Sequence, residues 1–533
     1  MQPEATRHTL LKSLAPLGAT LLCAPALIRG SFGQGLPGPK DDPFKLGVAA
    51  GAPAPDGFVL WTRLAPDPLS ADPSSPGGMR GGSVEVGYDI ATDAAMRNLV
   101  RQGTTIAEAD LAYSVHLEIA GLQSARTYWY RFRHGDALSR VGRAVSSPQP
   151  GSPVDHLRFG FVSCSNYEAG YFSAYRHLAD ENPDFVLFLG DYIYEDLYRR
   201  PGAVRRHSDG VAATTLRTYR NRYAQYRLDP DLQRLHAEVP ALMTWDDHEV
   251  QNDYADQWSQ TFDDPQKFLL RRAAAYQAYY EHMPLRPSRS RPNGPVMRIY
   301  DRVDFGDLLE FSILDGRQYR SREACYGSPK KGSGHLETAQ SCPELFDVQR
   351  SMIGLEQEAW LFDGLAKSTC QWNILAQDVL MARLREASLN QDPGYWTDDW
   401  DGYPVSRARV LRHIFDSKVK NPVVLGGDIH SFWNNDLMLD FDDQKSPVVA
   451  TELVGTSVSS PGPNYEQFSK FLPANPHVKF FDSRVRGYVS VEVSRQRMDA
   501  RFRAISQVTD PNATVSTLKA FAIENGRVGA VSQ

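Results

Sequence analysis

After residue 154 the chain settles into one grammar, in which apolar runs of strand length alternate with helical segments. The runs are Leu157 to Val162, Phe185 to Leu189, Ala241 to Trp245, Leu308 to Leu314, Trp372 to Ala376 and Val423 to Leu425. Helical segments between them include Tyr171 to Asp180, Thr215 to Arg227, Pro265 to His282 and Glu356 to Lys367. Strands that are apolar at nearly every position are buried on both faces, so the pattern predicts an α/β fold with a covered sheet. No unit of 20–50 residues repeats, which excludes a solenoid. The segments Tyr488 to Val493 and Met498 to Phe502 read as a β-hairpin that completes the second sheet.

The first part of the chain has a different texture. Gly57 to Arg63, Val84 to Tyr88, Tyr113 to Ile119 and Tyr128 to Phe132 are short runs in which apolar and polar residues alternate, separated by turn clusters. This predicts a small antiparallel sandwich of the immunoglobulin or fibronectin-III kind over residues 43–148. The run Ser146-Ser147-Pro148-Gln149-Pro150-Gly151-Ser152-Pro153 is a linker by composition, and a larger domain over 154–525 follows it.

The 533 residues are 42% hydrophobic, 23% charged and 11% aromatic, near globular averages and far from a disordered composition. The 58 Lys and Arg against 64 Asp and Glu contain no long basic run, which excludes an evident nucleic-acid-binding surface. Residues 1–34 read as a signal peptide: a basic start, then an uncharged Leu- and Ala-rich stretch from Ser13 to Ile28. Thr6-Arg7-His8-Thr9-Leu10-Leu11-Lys12 resembles a twin-arginine motif with His8 in place of the second Arg, so the export partner is the Tat or the Sec machinery. With no membrane-length run elsewhere, an exported protein, periplasmic or secreted, is expected. Cys325 and Cys342 flank a Gly/Ser/Lys loop and suit a disulfide, and Cys370 reads as a core residue.

The strand ends carry the chemistry. Leu157–Val162 runs into Ser163-Cys164-Ser165-Asn166, and Phe185–Leu189 into Gly190-Asp191-Tyr192-Ile193-Tyr194-Glu195. Ala241–Trp245 runs into Asp246-Asp247-His248-Glu249, and Val423–Leu425 into Gly426-Gly427-Asp428-Ile429-His430. Ligands of open α/β sheets bind at the carboxyl ends of the strands. Asp191, Asp246, Asp247 and Asp428 gathered there would repel one another unless multivalent cations compensated, so a metal centre is expected. A thiolate at Cys164 and a phenolate at Tyr194 favour an ion such as iron over magnesium.

These blocks resemble metallophosphoesterases, and in the versions Ser163-Cys164, GDYIYE over 190–195, WDDHEV over 245–250 and GGDIH over 426–430 they resemble the alkaline phosphatase D (PhoD) family. The resemblance implies a metallophosphoesterase-like core of two sheets flanked by helices. It implies a centre of one Fe(III) with Ca(II) ions. By position Cys164, Asp191, Tyr194 and His430 look like iron ligands, Asp191 and Asp428 bridge to a second metal, and Asp247 is a ligand of that metal. Asn252 and Arg317 match further family positions, Asn252 among the metal ligands and Arg317 beside Asp191 and His248 among the catalytic residues. His248 matches the histidine that contacts the phosphoryl or leaving-group oxygen. A clean VxxH block is not found.

The implied activity is hydrolysis of phosphate esters by metal-activated water, with no protein nucleophile. A phosphodiesterase or phospholipase D-type activity on the same centre is the alternative, because both substrates present the same phosphoryl group.

Overall fold

A computed structural model describes residues 42–198, 201–327, 333–386 and 394–533. The expected signal peptide, residues 1–34, lies outside the described residues. Those described belong to one compact unit.

Two sheets dominate it. The larger has ten strands in the order Val531–Ser532, Val515–Glu524, Arg497–Ile505, Arg486–Ser494, His156–Val162, Phe185–Leu189, Ala241–Thr244, Val48–Ala54, Gly57–Arg63, Ser114–Ile119. Its centre, from His156–Val162 to Ala241–Thr244, is parallel. The second has seven strands in the order Asp301–Phe305, Leu309–Ile313, Trp372–Ala376, Pro422–Gly426, Val448–Val454, Phe432–Met438, Val478–Asp482. The three pairings among Leu309–Ile313, Trp372–Ala376, Pro422–Gly426 and Val448–Val454 are parallel.

The apolar runs have no polar face because each sheet is covered twice. Phe185, Leu187 and Leu189 point into a core shared with Phe311, Ile313, Ile374 and Leu425 of the other sheet. Their neighbours Val186 and Phe188 point the other way, into Tyr175, Leu178, Leu235 and Tyr279 of the helices. On the far side of the seven-stranded sheet, Leu375 and Val424 meet Leu361, Val410 and Leu411. The layers are therefore helix, sheet, sheet, helix, the α/β character read from the sequence.

Local chemistry sets the helix starts. Thr215 caps Leu216–Arg227 through a capping box with Thr218, and Asp264 caps Pro265–His282 with Pro265 in the first turn. The sequence pattern had not marked the helices Pro230–Glu238 and Pro404–Asp416. Nor had it marked the strands Phe432–Met438, Val448–Val454 and Val478–Asp482.

The N-terminal strands form two layers: Val84–Ala91, Leu99–Ala107, Thr127–His134 and their short partners pack against Val48–Ala54, Gly57–Arg63 and Ser114–Ile119. That second layer is not closed. Val48–Ala54 pairs in parallel with Ala241–Thr244 at Gly51 opposite Ala241, which merges the layer into the ten-stranded sheet. Trp61 reinforces the junction, donating its indole N–H to the Glu281 carbonyl at 3.1 Å under the Arg227 guanidinium. The hairpin Arg486–Ser494 with Arg497–Ile505 also belongs to this sheet, antiparallel to His156–Val162.

Cys325 and Cys342, 17 residues apart, form a disulfide. Closing a loop of this length restricts the unfolded chain by about 3 kcal/mol. The double variant Cys325→Ser/Cys342→Ser should lose stability of that order in chemical denaturation, and reductant should reproduce the loss in the wild-type protein.

Candidate metal centre

The polar residues that end four strands meet at one edge, held there by an unusual backbone. Cys164, Asp191, Asp428 and His430 all have positive φ, at 62°, 52°, 59° and 55°. A left-handed conformation costs a non-glycine residue of order 1–3 kcal/mol and persists where surrounding structure over-determines it. Backbone bonds supply that control: Cys164 N donates to Gly190 O at 3.2 Å, Ser165 N to Asp191 O at 2.9 Å, and Gly427 N to Asp378 O at 2.7 Å.

Glu249 straps two of these turns together. Its carboxylate accepts from the backbone N–H of Asp191 at 3.2 Å, Tyr192 at 2.5 Å and Asp246 at 2.8 Å. Gly190 lets the turns approach: at φ +97°, a Cβ there would stand 2.4 Å from the Asp246 Cβ.

Asp191 is the hub. Three groups of donor atoms, each with its members within 4.8 Å of one another, share it: Cys164 with Asp191 and His430; Asp191 with Asp247 and His248; Asp191 with Asp246 and Asp428. Tyr194 belongs to the first by contact, its hydroxyl donating to Asp191 Oδ2 at 2.8 Å and standing 3.0 Å from His430 Nε2. His430 turns Nε2 inward because Nδ1 is bonded at 3.0 Å to the Pro461 carbonyl.

The charge balance is poor without a cation. Burial pushes Asp191 well above the usual carboxylate range, and Asp247, Glu249 and Asp428 push it further although His248 opposes them. Burial likewise raises Asp246 and Asp428. Burial and the neighbouring Asp191 raise the Cys164 thiol and the Tyr194 phenol. The buried atoms Asp246 Oδ2 and Asp247 Oδ1 have no hydrogen-bond partner. Thiol, phenol, imidazole and carboxylates with orphaned oxygens around one carboxylate are a donor set that fits cations.

His248 sits beside this group. Its Nδ1 is 2.6 Å from Glu195 Oε2, and its ring lies 4.1 Å from that of Tyr194. Burial would lower its pKa, but Asp247, Glu195 and Asp191 raise it well above the ordinary value. Glu195 is itself fixed, its other oxygen accepting from the Asn252 backbone N–H at 2.9 Å.

Two expected site residues have different surroundings. Arg317 is fully buried and donates from Nε to Asp246 at 2.6 Å and from both terminal nitrogens to Asp398 at 2.8 and 3.0 Å. Besides Asp398 it thus meets Asp246 of the centre itself, and a terminal nitrogen lies 3.9 Å from Asp247 Oδ2. The Asn252 amide donates to Gln260 Oε1 at 3.0 Å and to Ser333 Oγ at 3.5 Å. Sequence reasoning did not single out Asp378, Glu249, Asp398 or Ser460. Asp378 carried a readable signal: the run Trp372–Ala376 ends in Gln377-Asp378, the same strand-to-carboxylate step as the others.

Comparison with known proteins decides the family. Residues 159–502 match the model described as PhoD-like phosphatase, and residues 34–148 match its N-terminal domain. The chain belongs to the PhoD-like phosphatases. It is 43% identical over 494 residues to alkaline phosphatase D of Bacillus subtilis (strain 168), spanning 91% of this chain and 82% of that one. The solved "Structure of PhoD" superposes with a TM-score of 0.87 at 42% identity over 93% of each chain. As a PhoD-like phosphatase, the chain is a phosphoric ester hydrolase.

Gly190→Ala should separate the turns of Asp191 and Asp246. A displacement near 1 Å lowers rates about 100-fold, so hydrolysis of p-nitrophenyl phosphate should fall by at least that factor while circular dichroism stays native.

Proposed function

We propose that this PhoD-like phosphatase is an exported enzyme that hydrolyses phosphate esters with a centre of Fe(III) and Ca(II) built around Asp191. The observation that carries the reading is the convergence of Cys164, Tyr194 and His430 on one oxygen-rich group. In this reading Cys164, Asp191, Tyr194 and His430 hold iron, and Asp191, Asp247, Asn252 and Asp428 hold calcium. Hard oxygen donors suit calcium, while sulfur, phenolate and imidazole suit iron. Bound there, the ions would supply the charge that acidifies a water and offsets the negative phosphoryl oxygens.

The chain's own residues supply the rest. Glu195 holds His248 Nδ1 and leaves Nε2 to donate a proton to the departing oxygen. Tyr194 packs on the imidazole and limits its rotation. Arg317 offsets the carboxylates of Asp246 and Asp398, and so balances charge at the centre.

The same proposal assigns residues 1–34 to a signal peptide, 43–148 to an immunoglobulin-like sandwich and 154–525 to a metallophosphoesterase-like catalytic domain. Among the described residues no helix is long and apolar enough to cross a membrane.

Metal analysis paired with a visible spectrum tests the centre. Active protein should contain iron and calcium and show thiolate or phenolate charge transfer, and Asp191→Ala should lose both metals and turnover. Colourless active protein containing only zinc would overturn the iron assignment. Release of p-nitrophenol from mono- and bis-p-nitrophenyl phosphate measures the preference between monoester and diester.

Glu195→Gln tests His248 as the acid. It should lower kcat by roughly 10²–10⁴-fold on alkyl phosphates and much less on p-nitrophenyl phosphate, whose leaving group needs no proton. An equal loss on both would remove His248 from that role.

A further inference from the structure

Two of the softer donors at the centre each have one serine hydroxyl at their flank. Ser163 Oγ lies 3.1 Å from Cys164 Sγ, and Ser460 Oγ lies 2.7 Å from the Tyr194 phenol oxygen. Both serines are buried, at 4% and 1% exposure. Their positions are specified from outside the centre. A Cβ at Gly427 would stand 2.6 Å from Ser163 Oγ, so the glycine leaves room for that hydroxyl. Ser460 sits in a turn pinned by the buried Arg486, which donates to Ser457 Oγ at 3.1 Å and to the Ser460 carbonyl at 2.7 Å.

The direction of these hydrogen bonds depends on the state of the acids. With both acids protonated, the Cys164 thiol donates to Ser163 Oγ, the Tyr194 hydroxyl donates to Asp191, and Ser460 can donate to the Cys164 carbonyl at 3.0 Å. To hold a cation, Cys164 and Tyr194 would each release one proton to solvent and serve as thiolate and phenolate; no electrons change hands. Both then only accept. A hydrogen bond to an anion is about twice as strong as a neutral one, so both hydroxyls turn toward them. The Cys164 carbonyl keeps partners in the backbone N–H groups of Ser459 and Ser460.

We propose that Ser163 and Ser460 are positioning residues that donate to the Cys164 thiolate and the Tyr194 phenolate and set how strongly each anion bonds the cation. The proposal rests on the reading of Cys164 and Tyr194 as iron ligands. A donated hydrogen bond draws electron density off the ligand atom. Removing it raises that atom's donor level, which moves its charge-transfer band to iron to longer wavelength.

Spectroscopy on the iron-loaded full chain tests this, with resonance Raman assigning each band to phenolate or thiolate. Ser460→Ala should move the phenolate band to longer wavelength and leave the thiolate band in place, Ser163→Ala should do the reverse, and Ser460→Thr should restore the wild-type spectrum. Should a variant fail to fold, the wild-type protein in deuterated water answers the same question through shifts of the phenolate and iron–sulfur frequencies. Coloured protein whose bands neither move in the variants nor shift in deuterated water would overturn this proposal alone. Iron-bearing wild-type protein with no such bands would overturn the ligand assignment, and this proposal with it.

Discussion

Burying carboxylates together is the constraint on which the rest of the structure depends. Asp191, Asp246, Asp247, Asp378 and Asp398 are all buried, and the cations reaching them include Arg317 and His248. Removing charges from water costs several kcal/mol per ion unless they are paired or neutralised. Left-handed backbone at Cys164, Asp191, Asp428 and His430, a glycine at 190 and the Glu249 strap all serve to hold these groups where they repel. Arg317 and His248 offset part of this repulsion, and a cation held at the centre would offset more.

Much of this was legible in the chain. The runs Phe185–Leu189 and Trp372–Ala376 and the helix Pro265–His282 are where the pattern put them, because a strand covered on both faces has only apolar positions to show. The strand ends were readable for the complementary reason: Asp191, Asp247 and His430 are residues that no doubly buried strand would carry. What escaped reading was long-range. The strand Phe432–Met438 carries Asn434, Asn435 and Asp436, and the partners of the last two, Glu452 and Lys479, come from neighbouring strands that the pattern does not pair with it.

The same limit applies at the site. Arg317 stands in a conspicuous motif, yet only coordinates show it facing Asp246 and Asp398. Glu249 reads as one more acid in a block, and its three bonds are all to backbone, which a sequence does not display. Ser460 lies in an ordinary Ser-rich turn and acquires meaning only from Tyr194, 266 residues away. Motifs announce the atoms that bond a ligand far better than those that hold such atoms still.

The parallel pairing of Val48–Ala54 with Ala241–Thr244 has a further consequence. Without the segment before the linker, the strand leading to Asp246, Asp247 and His248 would lose its neighbour at Ala241 and stand at the margin of the sheet, where unpaired backbone groups can bond another chain. The leading strands are a selvedge at that point: they finish the border of the fabric.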